Sequence, residues 1–214
     1  MGAAIAMFYA CLYPDIVKQI ISIDMVKPVT FPKEKLAIKT REAIEQFLQI
    51  EAKITSSTDT VNFSTENESN DNSVPSYDYD DAVRKLIEAH SIFGKITPES
   101  AKCLLKRGAK PCPKDNNRVQ FTRDNRLKAM MFQRMDYDSL LNYFQDLKCE
   151  LLIIKADKGI KLDPDSVVQV FLNLYKKQCS RFEMVTVPGG HHVHLCDSDK
   201  VMSVIIEFIH NTKS

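Results

Sequence analysis

The sequence predicts an α/β fold in which a mostly parallel sheet is interrupted by a helical block. Three observations predict it. Short apolar, β-branched runs at residues 16–23, 150–155 and 182–187 have the composition of parallel strands covered on both faces. Runs of helical periodicity alternate with these strands near both ends of the chain. Between the first strand and the last two, helical pattern dominates, so the order is αβ, helices, then βαβα.

Each element has its own warrant. Residues 2–12 are small and apolar almost all round; Ala3, Ala4, Ala6 and Ala10 let a helix pack closely, and Tyr13-Pro14 ends it because proline cannot continue the ladder. The strand at 16–23 stops at Asp24, ahead of Met25-Val26-Lys27-Pro28. A helix that leads at once into a parallel strand implies a further strand ahead of it. Residues 32–55 place Leu36, Ile44, Phe47, Leu48 and Ile54 on an apolar stripe. Residues 56–79 are rich in Ser, Asn, Asp and Thr with few apolar anchors, the composition of a mobile insertion.

Helices follow at 80–90 and 97–106; Thr97-Pro98-Glu99-Ser100 supplies an N-cap with proline in the first turn, and Arg107-Gly108 stops the second helix. A short strand at 119–122 and a helix at 136–147 lead to the strand at 150–155. A helix at 165–177, the strand at 182–187 and a helix at 197–210 close the chain. The expected division is 1–30 for the first core part, 31–148 for a helical cap containing the 56–79 insertion, and 149–214 for the βαβα remainder.

The chain's 214 residues suffice for one full core. At 44% apolar and 27% charged it has ordinary globular composition, and a net charge of +1 makes no electrostatic case for nucleic acid. No apolar run approaches the roughly 20 residues of a membrane span. The first residues lack the basic n-region and cleavage site of a signal peptide. Six scattered cysteines, Cys11, Cys103, Cys112, Cys149, Cys179 and Cys196, lack metal-type spacing and read as reduced thiols, which suits a cytoplasmic or organellar setting. Asn62-Phe63-Ser64 and Asn67-Glu68-Ser69 match the glycosylation pattern by chance in an Asn/Ser-rich stretch. No phosphate loop, zinc spacing or nucleotide fingerprint is present, so no cofactor is expected.

The most informative stretch is Val187-Pro188-Gly189-Gly190-His191-His192-Val193-His194, which gathers three of the five histidines between a strand and the last helix. With Met1-Gly2-Ala3-Ala4-Ile5-Ala6, Tyr13-Pro14, the strand end at 20–28, residues 100–108 and Phe121-Thr122-Arg123-Asp124-Asn125-Arg126-Leu127, it resembles the α/β-hydrolase fold family, most closely its serine-hydrolase-like (kraken-type) branch. The likeness covers nearly the whole chain except the 56–79 insertion.

The resemblance implies a serine hydrolase acting on a small ester-like substrate through an acyl-enzyme. Its nucleophile elbow, Gly-x-Ser-x-Gly, would end at Met1-Gly2, with the serine directly before Met1. It therefore implies a C-terminal part without the early strands and nucleophile, hence a truncated, inactive form. Such a chain would expose an apolar sheet edge and be poorly soluble. The alternative is a non-catalytic ligand-binding or interaction protein on a degraded hydrolase fold. A peroxisomal setting is also compatible with the resemblance.

The base implied is His191, directly after Gly-Gly, with His192 and His194 as neighbours in packing or turn roles. Two acids stay open: Asp24, after the strand following the elbow helix, and Asp157, after the penultimate strand. Asp163 and Asp165 suit the start of the next helix. Arg107, Arg123, Asp124 and Arg126 match Arg-Gly and Arg-Asp-x-Arg signatures and read as an ion-pair network of the cap. Cys11 and Cys196 do not sit where this fold presents a nucleophile.

Overall fold

The computed structural model describes residues 2–58, 75–129 and 135–211. In chain order the elements are α1 (Gly2–Leu12), β1 (Gln19–Ile23), α2 (Leu36–Thr58), β2 (Ser76–Asp78), α3 (Tyr79–His90), α4 (Pro98–Gly108), β3 (Ala109–Cys112) and β4 (Asp115–Phe121). They continue with α5 (Tyr137–Tyr143), β5 (Glu150–Lys158), α6 (Asp165–Gln178), β6 (Arg181–Gly190), α7 (Val193–Cys196) and α8 (Ser198–His210).

Two units are distinguished: Met1–Phe31, His90–Thr97 and Met135–Ser214 form the first, Pro32–Ala89 and Pro98–Arg134 the second. The first unit thus takes in residues from inside the span 31–148. The reason is packing, since Leu140, Phe144 and Leu147 are fully buried in the core beside the sheet.

That sheet has the order β1-β5-β6 and is parallel throughout, with Gln19 opposite Glu150 and Ile23 opposite Ile154. The central strand β5 is covered on both faces, which its unbroken Leu-Leu-Ile-Ile run requires. Leu151 and Ile153 face a cluster with Met7, Ala10, Phe144, Phe171 and Tyr175. Leu152 and Ile154, one residue out of phase, face Val187, Val201 and Phe208. β1 begins at Gln19 rather than at residue 16, because the amides of Ile16 and Val17 turn back to the Tyr13 carbonyl. The helix expected at 136–147 ends at Tyr143 and passes into a 3-10 turn over Phe144–Asp146; Asp136 caps its start, accepting from the Ser139 amide at 3.0 Å.

The second unit is not purely helical. It holds an antiparallel sheet of order β2-β4-β3, of which the sequence suggested only a fragment at 119–122. Pro111 and the polar Asp-Asn-Asn-Arg start of β4 hide the strand pattern, and a register shift between Pro111 and Cys112 breaks the alternation. Of the 56–79 insertion, residues 59–74 lie outside the described residues, while Ser76–Asp78 form β2.

Candidate active site

Every residue of the site belongs to the first unit. Its foundation is the end of β1. Asp24 follows the last strand residue with φ +55°, a left-handed conformation that aspartate tolerates better than most side chains. Its amide donates to the Ile154 carbonyl at 2.7 Å, extending the β1–β5 ladder by one bond. The chain beyond is pinned as well. The Ser22 hydroxyl donates to the Met25 carbonyl, Tyr175 Oη to the Val26 carbonyl at 2.8 Å, and buried Lys27 pairs with Asp163 at 2.9 Å. Asp163 is therefore an ion-pair partner and not a helix cap, whereas Asp165 lies in the first turn of α6.

The Asp24 side chain is fully buried, and four donors converge on it. Lys155 Nζ lies 2.5 Å from Oδ1 and the Ala156 amide 3.1 Å from the same oxygen; the Ile160 amide lies 3.0 Å and His191 Nδ1 2.7 Å from Oδ2. Burial pushes the carboxyl's pKa up. The bonds from His191, Lys155 and the Ile160 amide, with the lysine charge, outweigh that and hold it at about 2. Asp24 is thus a carboxylate at any physiological pH, aimed at an imidazole.

His191 is delivered by the turn leaving β6. Gly189 makes that turn possible: its φ is +149°, and a Cβ there would meet Val193 Cγ2 at 2.9 Å. Asp157 holds the same turn from below, accepting from the Gly189 amide at 2.8 Å. The two aspartates thus part company, Asp24 on the imidazole and exposed Asp157 on the backbone of the turn. The ring of Phe93 lies 5.7 Å from that of His191.

The neighbouring histidines are of a different kind. His192 packs against the rings of His191, at 4.8 Å, and His90, at 5.1 Å, and its buried Nε2 has no hydrogen-bond partner among the described residues. Burial, then the nearby charges of His191, His90 and His194, push its pKa down to about 4. His194 is pushed down too, by burial first and His191 second. Both rings are therefore kept neutral near pH 7, and within the turn the ring bonded to the Asp24 carboxylate is that of His191.

Among the described residues, no group of three or more His, Cys, Asp and Glu side chains is placed to hold a metal ion. Nor is any described helix long and apolar enough to cross a membrane. A groove of about 380 Å³ opens beside Asp24 on the side of α6, with Lys155, Ile160, Leu162, Val168 and Met184 among its walls. The thiols of Cys11, Cys149 and Cys179 are pushed up to about 12, 11 and 12, above all by burial, and are held as unreactive core groups. In the second unit, exposed Arg126 pairs with Asp124 at 2.6 Å and with Glu51 at 3.4 Å, while Arg123 reaches the Leu127 carbonyl and the Arg107 carbonyl accepts from Thr122.

Sequence reasoning missed Lys155 and Gly159. The signal for Lys155 was available: it is the one charged residue at the end of an otherwise apolar strand core, Leu-Leu-Ile-Ile-Lys. For Gly159, no local pattern announces that a side chain from another strand fills its space.

A parallel sheet with helices on both faces and a histidine–carboxylate pair at the strand ends is the arrangement of the α/β-hydrolase fold. Solved structures agree. A hypothetical protein from Pseudomonas aeruginosa PAO1 superposes with a TM-score of 0.69 at 23% identity, over 96% of this chain and 62% of that one. E-2-(acetamidomethylene)succinate hydrolase gives 0.60 at 15% identity, over 98% and 63%. No family model matches the sequence.

Within that fold the chain is similar to curated proteins named as serine hydrolases or serine-hydrolase-like. A Drosophila melanogaster protein named "Probable serine hydrolase" is 28% identical over 98% of this chain, and a Danio rerio "Serine hydrolase-like protein" is 24% identical over 98%. The chain spans 57% and 58% of the lengths of these two relatives.

Proposed function

We propose that His191 is the general base and Asp24 the orienting acid of a serine-hydrolase site that cleaves small ester-type substrates. The observation that carries this reading is the 2.7 Å contact between His191 Nδ1 and a buried carboxylate. With Nδ1–H donating to Asp24, the imidazole is fixed in the tautomer whose Nε2 is a free acceptor. In the reaction that nitrogen takes the serine hydroxyl proton as the oxygen attacks the carbonyl carbon. It then returns the proton to the departing alcohol, leaving an acyl-enzyme that water hydrolyses by the same relay. Asp24 remains ionised and stabilises the imidazolium formed in each half.

The nucleophile is the component we assign to no residue from 1 to 214. In the family it stands on the turn entering the helix that corresponds to α1, so we read this polypeptide alone as unable to complete acyl transfer. A non-catalytic ligand-binding role on the same fold is the second reading, favoured by the groove beside Asp24. The compartment we favour is the cytoplasm, with the peroxisome as the other candidate.

The test is the sequence of the full transcript upstream of Met1, followed by activity of its product on p-nitrophenyl esters. An in-frame Gly-x-Ser and turnover abolished by His191→Ala supports the hydrolase. Turnover unaffected by His191→Ala, or a product with no esterase activity that still binds acyl ligands, overturns it in favour of the binding protein.

A further inference from the structure

We infer that the segment from Lys155 to Ile160 is a preformed carboxylate cradle for Asp24, in which Lys155 is the positioning residue that keeps Oδ2 turned toward His191 and Gly159 is the opening that admits the carboxylate. The inference rests on the reading of His191 and Asp24 as base and acid, and deepens it.

Three of the four donors on Asp24 come from this one short stretch: Lys155 Nζ, the Ala156 amide and the Ile160 amide. The stretch is itself braced, because Lys155 Nζ also donates to the Ile160 carbonyl at 2.7 Å and the Gly159 amide to the Ala156 carbonyl at 3.0 Å. Lys155 therefore closes a ring: it ties the two ends of the turn together and grips the carboxylate at the same time. The grip is on Oδ1 and the imidazole is on Oδ2, so rotation of the carboxylate about its Cβ–Cγ bond would break both contacts together.

Gly159 completes the cradle by what it lacks. A Cβ on that residue would stand 2.0 Å from Asp24 Oδ1 and 2.5 Å from Cγ, inside the carboxylate itself. The φ of Gly159 is not in the left-handed region, so the demand for glycine here comes from close approach alone. A charge-assisted bond from a lysine that is only 19% exposed is roughly twice as strong as a neutral one. Lys155 is accordingly the largest single restraint on the carboxylate that is not His191.

The full 214-residue chain suffices for the test, since no nucleophile is needed. Two signals are followed by NMR: the far-downfield proton of the His191 Nδ1–H bond, and the titration midpoint of the Asp24 carboxyl carbon. Lys155→Met should weaken or erase the first and raise the second toward 3.8, while Lys155→Arg, which keeps the charge, should preserve both. A merely space-filling lysine would leave both signals unchanged in the methionine variant, and that result overturns the inference. Should Lys155→Met fail to fold, the ammonium protons of Lys155 in the unaltered chain decide. Slow exchange supports the cradle, and exchange as fast as that of surface lysines overturns it. Asp24→Asn separates the two levels. If it leaves the downfield proton in place, the base–acid reading itself fails; if it removes the proton while Lys155→Met does not, only the cradle fails.

Discussion

Asp24 and Asp157 stand at the carboxyl ends of adjacent parallel strands, a few residues apart in register, and differ in almost everything else. Asp24 is buried, left-handed at φ +55° and met by four donors. Asp157 is exposed and accepts from the Gly189 amide. Open α/β sheets bind ligands beyond the carboxyl ends of their strands, and both aspartates lie there, so position alone does not separate them. What separates them is the surrounding donors. A carboxylate out of water remains charged only where several N–H groups and a cation replace the lost hydration.

The largest test of the comparison is Asp24→Asn. It removes the charge that Lys155 and His191 share and leaves a half-buried ammonium facing a neutral amide. Breaking a buried pair in this way costs about 3 kcal/mol, to be read from urea denaturation. In a product that carries the nucleophile, turnover should fall on the order of 10⁴-fold, because the imidazole loses its fixed tautomer.

Gly159→Ala comes next. The added methyl overlaps Asp24 Oδ1 at 2.0 Å, and relief requires the strand end or the cradle to move, at about 2 kcal/mol. The effect depends on what occupies the space. In an Asp24→Gly background, where glycine also accepts φ +55° without strain, the same alanine should cost little. A double-mutant cycle on thermal unfolding reads the coupling; additive costs would refute the close approach.

Acid titration sharpens the contrast in another direction. Asp24 is held at about 2 in the fold against a usual 3.8, so the unfolded chain takes up its proton first. Its contribution, on the order of 2 kcal/mol, is complete above about pH 4 and is lost as the pH falls toward 2. His192 is held at about 4 against a usual 6.5, so its contribution is complete above 6.5 and is lost as the pH falls toward 4. Denaturation midpoints between pH 7 and 2.5 should therefore decline in two limbs. His192→Gln should diminish the upper one, with the depressed His194 accounting for what is left, and Asp24→Asn should remove the lower.

How much of this was legible in the sequence follows from the range of the interactions. The parallel strands were readable because β5 is apolar on both faces, and the histidine turn because Gly-Gly marks it. The antiparallel sheet of the second unit was not, since β4 opens on Asp-Asn-Asn-Arg and β3 carries a proline. In the site, the Gly-Gly turn drew attention to His191, but nothing local told which of Asp24 and Asp157 its ring meets. The bonds that distinguish them span 131 to 167 residues, and no periodicity within a strand encodes a partner that distant.

The smallest expected effect belongs to Asp157→Asn, and it bears most directly on that choice. The asparagine keeps an oxygen able to accept from the Gly189 amide, and the site is open enough for water to substitute where it does not. The change in stability should be no more than about 0.5–1 kcal/mol, the worth of an ordinary hydrogen bond. The His191–Asp24 contact should persist, because the turn is independently shaped by Gly189 and by the packing of buried Val193 beneath it. The downfield imidazole proton is again the readout. Its survival in Asp157→Asn beside its loss in Asp24→Asn would place the acid just beyond the end of β1. The reverse pattern would show that the His191 side chain turns to Asp157 in solution, and that the donors gathered around Asp24 serve the strand end alone.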